Sequence, residues 1–258
     1  MRDEAKRAVQ SQFGRQASQY AASKVHGRPS SGLDALLRLA SPRRTDRALD
    51  VAAGTGFTAL ALALRCREVI GVDFTASMIR EACAIRDKRG ISNLRFCLGD
   101  AEALPFRDSS FDVVACRQAS HHFPHLPVAL REMARVARPG GRVVLDDSCA
   151  PEDPDLEALM NDWESRRDPS HVADHPPSRL KALVEQSGLR IEDAVMTSIP
   201  LEFSDWVKRS GMPGPEAAAL RRRFLSTTPA AASAFRIARR GSEVHFTWPE
   251  VVILGMKP

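Results

Sequence analysis

Residues 48–58 read ALDVAAGTGFT: an apolar run (Leu49, Val51, Ala52) breaks into Gly54-Thr55-Gly56 and resumes as FTALALALR. This is the pattern of a buried strand, a tight turn bare of side chains, and a helix whose N-terminus points back at the turn. Glycine lets the backbone bend sharply and lets a ligand approach closely. The free N–H groups of the first helical turn then face whatever sits there. The next apolar run, residues 68–72, ends in Asp73. An acid at the end of the second strand of such a unit accepts hydrogen bonds from both ribose hydroxyls. The segment therefore predicts a pocket for an adenosine-containing cofactor. Spacing alone does not choose the cofactor, because Gly54-x-Gly56-x-x-Ala59 followed by Asp73 also fits a dinucleotide fingerprint.

Strand and helix alternate on both sides of this segment. Upstream, residues 4–24 and 33–40 keep helical spacing, with a break at 27–32. Downstream, Thr75 is placed to cap a helix over 76–89, and residues 94–98 and 111–116 read as strands. A helix over 128–138 is expected to stop at Pro139-Gly140-Gly141, before a fifth strand at 142–146. Ser178 is expected to cap a helix ending at Gly188. A strand then runs from 189 to about 200, helices cover 203–211 and 215–226, and a last strand covers 244–256. Five alternations imply a parallel sheet with helices on both faces, with the ligand at the strands' carboxyl ends.

The chain has 258 residues, 43% hydrophobic and 27% charged, which suits a globular protein with a large core. No apolar run is long enough to span a bilayer, and the charged N-terminus does not read as a cleaved signal. The five cysteines (66, 83, 97, 116 and 149) never form a C-x-x-C pair. That spacing predicts reduced thiols in a cytoplasmic protein and no zinc site. The net charge of +5 is uneven: residues 1–47 carry 10 Lys/Arg against 4 Asp/Glu, and residues 201–240 carry 8 against 3. If both segments cover the site, they favour an anionic substrate.

Four stretches in order, LDVAAGTG, VIGVDFTASMI, GDAEALPFRDSSFDVV and LREMARVARPGGRVVLDD, make the chain resemble the class I S-adenosylmethionine-dependent methyltransferases. The likeness is greatest to the ubiquinone/menaquinone C-methyltransferase branch. It implies a Rossmann-like, doubly wound α/β fold with a mostly parallel seven-stranded sheet, an antiparallel last strand and helical lid segments. It also implies one domain over 1–258, with a core at about 45–150, 177–200 and 243–258. The lid segments would be 1–44, 151–176 and 201–240. The cofactor would be S-adenosyl-L-methionine, leaving S-adenosyl-L-homocysteine. Gly54 and Gly56 would let the backbone pass its methionine part, Asp50 would support the turn, and Ala52 would border it. Asp73 would take the ribose hydroxyls, Phe74 and Met78 would pack on the adenine, and Asp100 and Ala101 would bind its edge. Arg117 would lie beside the sulfonium.

Methyl transfer needs in-line approach and a nucleophile free of its proton. A base is expected just past strand four, where this chain has His121 and His122; His171 is the next candidate, then Tyr20 and His26 on the N-terminal lid. The expected acceptor is a small organic molecule methylated at carbon or oxygen, and the uneven charge favours an anionic one. Against nucleic acid, the stretch after strand four lacks the Asn/Asp-Pro-Pro-aromatic run of base-amine methylases. No basic stripe is interleaved with aromatics either. An RNA or protein methyltransferase, and a non-catalytic cofactor-binding protein, remain as alternatives. The oligomeric state stays open.

Overall fold

The computed structural model describes residues 2–21 and 31–258. β1 (Arg47–Val51), β2 (Glu68–Asp73), β3 (Leu94–Leu98), β4 (Phe111–Arg117) and β5 (Ala137–Ser148) pair in parallel in the order 3-2-1-4-5. Side chains alternate across these strands with period two. Leu49, Val51, Val114, Cys116, Val143 and Leu145 face one way, against α5 (Leu126–Val136) and α7 (Pro177–Gln186). Ala48, Val113, Ala115 and Val144 face the other way, against α2 (Ser31–Ala40) and α3 (Phe57–Ala63). Both faces are covered, which is why these strands read as continuous apolar runs. Leu36, fully buried, packs α2 onto the sheet. Residues 31–40 therefore lie with the core rather than with the segments over the site.

The last long strand, β8 (Glu243–Met256), runs antiparallel between β5 and β6 (Arg190–Glu202). Its pairing with β5 ends at Ser148–Glu250, while its pairing with β6 continues to Glu202–His245. The β6–β8 ribbon thus rises beyond the carboxyl edge of β5. It is joined there by a three-residue strand, β7 (Ala238–Arg240), which the sequence did not suggest. The overhang carries Leu201, Phe246 and Trp248 into a separate apolar cluster. That cluster also takes Trp163 of α6 (Pro154–Arg167), Trp206 of α8 (Phe203–Ser210) and Phe224 of α9 (Gly214–Leu225). Phe235, just after α10 (Pro229–Ala234), completes it. The segments over the site are held by their own aromatic core.

Two local expectations are corrected. The helix before β5 ends at Val136, and Pro139-Gly140-Gly141 lie inside β5, because the strand begins pairing at Ala137 with Phe111. Pro176, not Ser178, precedes α7. Ser178 instead donates its N–H and hydroxyl to the Glu152 carboxylate.

Candidate active site

The strand order reverses between β1 and β4, so their carboxyl ends diverge and leave a crevice. The chain leaves β1 through Ala52, a non-glycine residue at φ 55°, and turns through Gly54 (φ 52°) and Gly56 (φ 88°). A Cβ at Gly54 would meet nothing, and this glycine lines the crevice. At Gly56 a Cβ would stand 2.6 Å from the Phe96 ring. The bareness of Gly56 therefore serves packing of the turn against β3. Asp50 ties the turn to α3 by accepting from the Ala59 N–H at 2.8 Å. Burial pushes its carboxyl up to about 7, against the pull of the Arg117 charge.

Asp73 ends β2 with Oδ2 accepting from the Gly54 N–H and Oδ1 from the Thr75 N–H, both at 2.8 Å. A carboxylate has about four lone-pair positions, so Asp73 can hold the turn and still accept from two ribose hydroxyls. Beyond it, Phe74, Thr75 and Met78 of α4 (Ala76–Lys88) line a cavity of about 1080 Å³, with Asp100 and Ala101 after β3. α1 (Arg2–Ala21) lies across this cavity, with Lys6, Val9 and Phe13 in its wall. The Lys6 ammonium pairs with Asp100 and sits 2.9 Å from Glu102. Arg117 also lines the cavity, but its Nε donates to Thr58 Oγ1 at 2.9 Å, which turns the guanidinium toward α3.

At the end of β4 the chain kinks again. Gln118 has φ 53°, a second non-glycine residue in the left-handed region beside the crevice. Such conformations cost about 1 kcal/mol or more and concentrate at functional sites. Gln118 is fixed by its N–H to the Asp146 carbonyl (2.8 Å) and its amide to Glu250 Oε1 (2.9 Å). The next residues, Ser120–His122, form a single 3-10 turn.

The His121 and His122 rings have centroids 4.2 Å apart, tilted by 47°, but have opposite environments. His121 Nδ1 lies 2.7 Å from Asp147 Oδ1, and Asp147 also accepts from the Ser120 hydroxyl and the His121 N–H. Burial by itself lowers the His121 pKa, but the Asp147 carboxylate overcomes it and lifts it to about 9. His121 is therefore an imidazolium at neutral pH. His122 is buried, and burial together with the His121 charge drives its pKa down to about 3. Its Nδ1 is 3.0 Å from the Ser170 carbonyl. That contact requires a proton on Nδ1, which leaves Nε2 with its lone pair. His171 stands behind, 5.8 Å from the His121 ring, with Nε2 at 2.8 Å from Asn161 Oδ1. Burial lowers its pKa to about 4, and it lines neither cavity.

A second cavity, of about 500 Å³, adjoins the first and shares Phe13, Gln118 and His122 with it. Its far side is built by the overhanging ribbon and the helices above: Ile199, Leu201, Trp206 and Trp248, with Arg167, Arg209 and Glu164.

Residues 43–195 match the family described as methyltransferase domain. The chain is 35% identical to the uncharacterized methyltransferase YcgJ of Bacillus subtilis, over 95% of this chain and 97% of that one. The chain belongs to the methyltransferase domain family. A crystal structure of the B. subtilis YcgJ protein superposes with a TM-score of 0.83 at 36% identity, covering 88% of this chain and 97% of that one. A putative methyltransferase from Bacillus halodurans superposes at 0.84 and 29% identity, covering 88% and 98%. A demethylmenaquinone methyltransferase of Beutenbergia cavernae is 38% identical over 50% of this chain and 54% of its own length.

This methyltransferase uses S-adenosylmethionine, and the first cavity is lined by a strand-end acid, apolar side chains and a bare turn. Of the cofactor residues expected from the sequence, Asp50, Ala52, Gly54, Asp73, Phe74, Met78, Asp100, Ala101 and Arg117 line that cavity and Gly56 does not. The sequence did not single out Lys6, Phe13, Gln118 or Asp147. Their roles arise from contacts across 26 or more residues of chain. His26 and the Tyr20 side chain lie outside the described residues. Among the described residues no cluster of three His, Cys, Asp or Glu can hold a metal, and no helix is long and apolar enough to cross a membrane.

Proposed function

We propose that this methyltransferase transfers its methyl group to carbon or oxygen of a small organic acceptor seated in the second cavity, with His121 and His122 at the junction. The observation that carries this is the junction itself: Phe13, Gln118 and His122 border both cavities, so an acceptor in the second lies next to the cofactor side. The bound cofactor supplies an electrophilic methyl group on a sulfonium, with a neutral thioether as leaving group. The protein then has to fix the line of approach and keep water out.

Asp73 holds the ribose and the turn at Gly54 borders the methionine part, while Phe74, Met78 and Ala101 pack on the base. His122 Nε2 accepts a hydrogen bond from the acceptor and aims it. A base whose conjugate acid sits at about 3 is too weak to remove a phenolic or enolic proton by itself. The His121 imidazolium therefore matters more, because it stabilises the acceptor in its ionised form. His171 supports His121 from behind. The chain forms one domain in which α1 and residues 151–176 and 201–240 cover the site. A quinol ring, as the name of the Beutenbergia relative suggests, is one acceptor that fits this chemistry.

The test is turnover with methyl-labelled cofactor against a panel of phenols, enols and quinols, comparing the wild type with His122→Ala. The expected result is a rate lower by roughly 10- to 100-fold with cofactor affinity unchanged, in keeping with the loss of one orienting hydrogen bond in the transition state. Full turnover by the variant would remove His122 from the mechanism.

A further inference from the structure

The second cavity is the part of the molecule that the cofactor does not explain. Its charged lining consists of His121, Arg167 and Arg209 against a single acid, Glu164. Glu164 is already committed. It is buried and accepts from Arg167 Nε at 2.9 Å, Trp206 Nε1 at 3.2 Å and the Trp248 indole N–H. Its negative charge is thus spent inside the wall, on two indoles and on Arg167, which also lies 3.5 Å from the buried Asp168 carboxylate. Arg209, only 8% exposed, pairs through Nε with Asp205 at 2.9 Å, and the Asp205 side chain is about half exposed. That partner is screened by water, whereas the arginine borders the cavity. The rest of the lining includes Ile199, Leu201, Trp206 and Trp248, with the Arg167 guanidinium 5.4 Å from the centre of the Trp206 ring.

We propose that the second cavity selects an acceptor carrying an oxyanion, a carboxylate or a phosphate monoester, on a flat unsaturated body. Arg209 and Arg167 hold the anionic head, and Trp206 and Trp248 hold the body. The methylated atom then lies toward His122 and the cofactor. A guanidinium presents a planar fork of donors that matches both kinds of oxyanion, and a cation-lined, low-dielectric recess concentrates anions. This inference rests on the methyltransferase reading of the site and narrows its substrate class.

The test measures binding of three probes by calorimetry to protein saturated with S-adenosylhomocysteine: salicylate, phenyl phosphate and the neutral salicylamide. At least one anion is expected to bind roughly tenfold or more tightly than salicylamide, by analogy with one charge-assisted bond. Arg209→Gln should erase that difference, and Arg209→Lys should restore part of it. Affinity for S-adenosylhomocysteine should stay the same in both variants, which also shows that they fold. Preference for salicylate or for phenyl phosphate tells a carboxylate site from a phosphate site. Equal binding of all three probes, binding by neither anion, or an anion preference that survives Arg209→Gln would overturn the proposal. Failure of S-adenosylhomocysteine itself to bind would instead strike the reading on which it rests.

Discussion

Asp73→Asn is expected to weaken binding of S-adenosylhomocysteine roughly 10- to 100-fold, while leaving a folded protein. The argument starts from what the carboxylate already does. Its two oxygens accept from the N–H groups of Gly54 and Thr75, so it fixes the glycine turn to the end of β2. An asparagine has one acceptor oxygen where aspartate has two, and its NH₂ would point at one of these N–H donors. One donor loses its partner, and the turn relaxes from the shape that faces the cofactor. The ribose hydroxyls also exchange a charge-assisted hydrogen bond for a neutral one. Bonds to ionised acceptors contribute about 1.5–3 kcal/mol against about 1 kcal/mol for neutral ones, and each 1.4 kcal/mol is about tenfold in affinity. Burial already raises the Asp73 pKa, with the two N–H groups holding it down. The site therefore keeps this carboxylate against the desolvation cost of its burial. Calorimetric titration of wild type and variant checks this, and equal affinities would mean that Asp73 serves only the turn.

Asp147→Asn is expected to have a larger effect on the fold and to change the charge of the site. Asp147 is 1% exposed and anchors Ser120, the His121 backbone and the His121 ring at once. Removing one partner of a buried ion pair costs about 3–5 kcal/mol, a loss in melting temperature on the order of 10 °C for a chain of this size. The pH dependence has a definite sign. His121 has a folded-state pKa of about 9, above the unfolded value of about 6.5. The stabilisation it contributes is complete below pH ~6.5 and is lost as pH rises through about 9. Other charges act on the same ring: Asp174 and Glu164 favour its proton, while the neutral His122 and His171 face it without adding charge at pH 7. In the variant, burial is opposed only by Asp174 and Glu164, and the pKa of the ring falls from its wild-type value. Histidine NMR titration reads this directly. One ring should titrate near pH 9 in the wild type, and that transition should be absent from Asp147→Asn. An unchanged high-pH transition would show that Asp147 does not hold the His121 charge.

The parts of the site legible in the sequence are those where a backbone requirement and a side chain fall within a few residues of each other. Gly54 and Asp73 were readable because a strand-turn-helix-strand unit fixes their geometry locally, and the register of β1 against β2 brings Asp50 opposite Gly71 and Val51 opposite Val72. The histidine pair was readable as a position, just past β4, but not as a chemistry. Its contrast of charge depends on Asp147 and Ser170, which reach it from the end of β5 and the segment after α6. Lys6 against Asp100, 94 residues apart, left no trace in spacing or composition. The second cavity was invisible for a related reason. It exists because β6 and β8 outrun β5 and carry Trp248 upward to meet Trp163 and Trp206, and strand length beyond a neighbour's end is a property of pairing, not of pattern. Gly56 makes the same point: nothing in the pattern of the turn shows that a Cβ there would meet the Phe96 ring, 2.6 Å away.

All of this rests on one cavity at the carboxyl ends of β1, β2 and β4 taking a sulfonium nucleoside. Calorimetric titration of the wild-type chain with S-adenosylmethionine, S-adenosylhomocysteine and NAD addresses it most directly. Saturable one-to-one binding of the first two, with no heat from NAD, is the predicted result. Uptake of NAD by a chain that ignores both sulfur nucleosides would contradict the account.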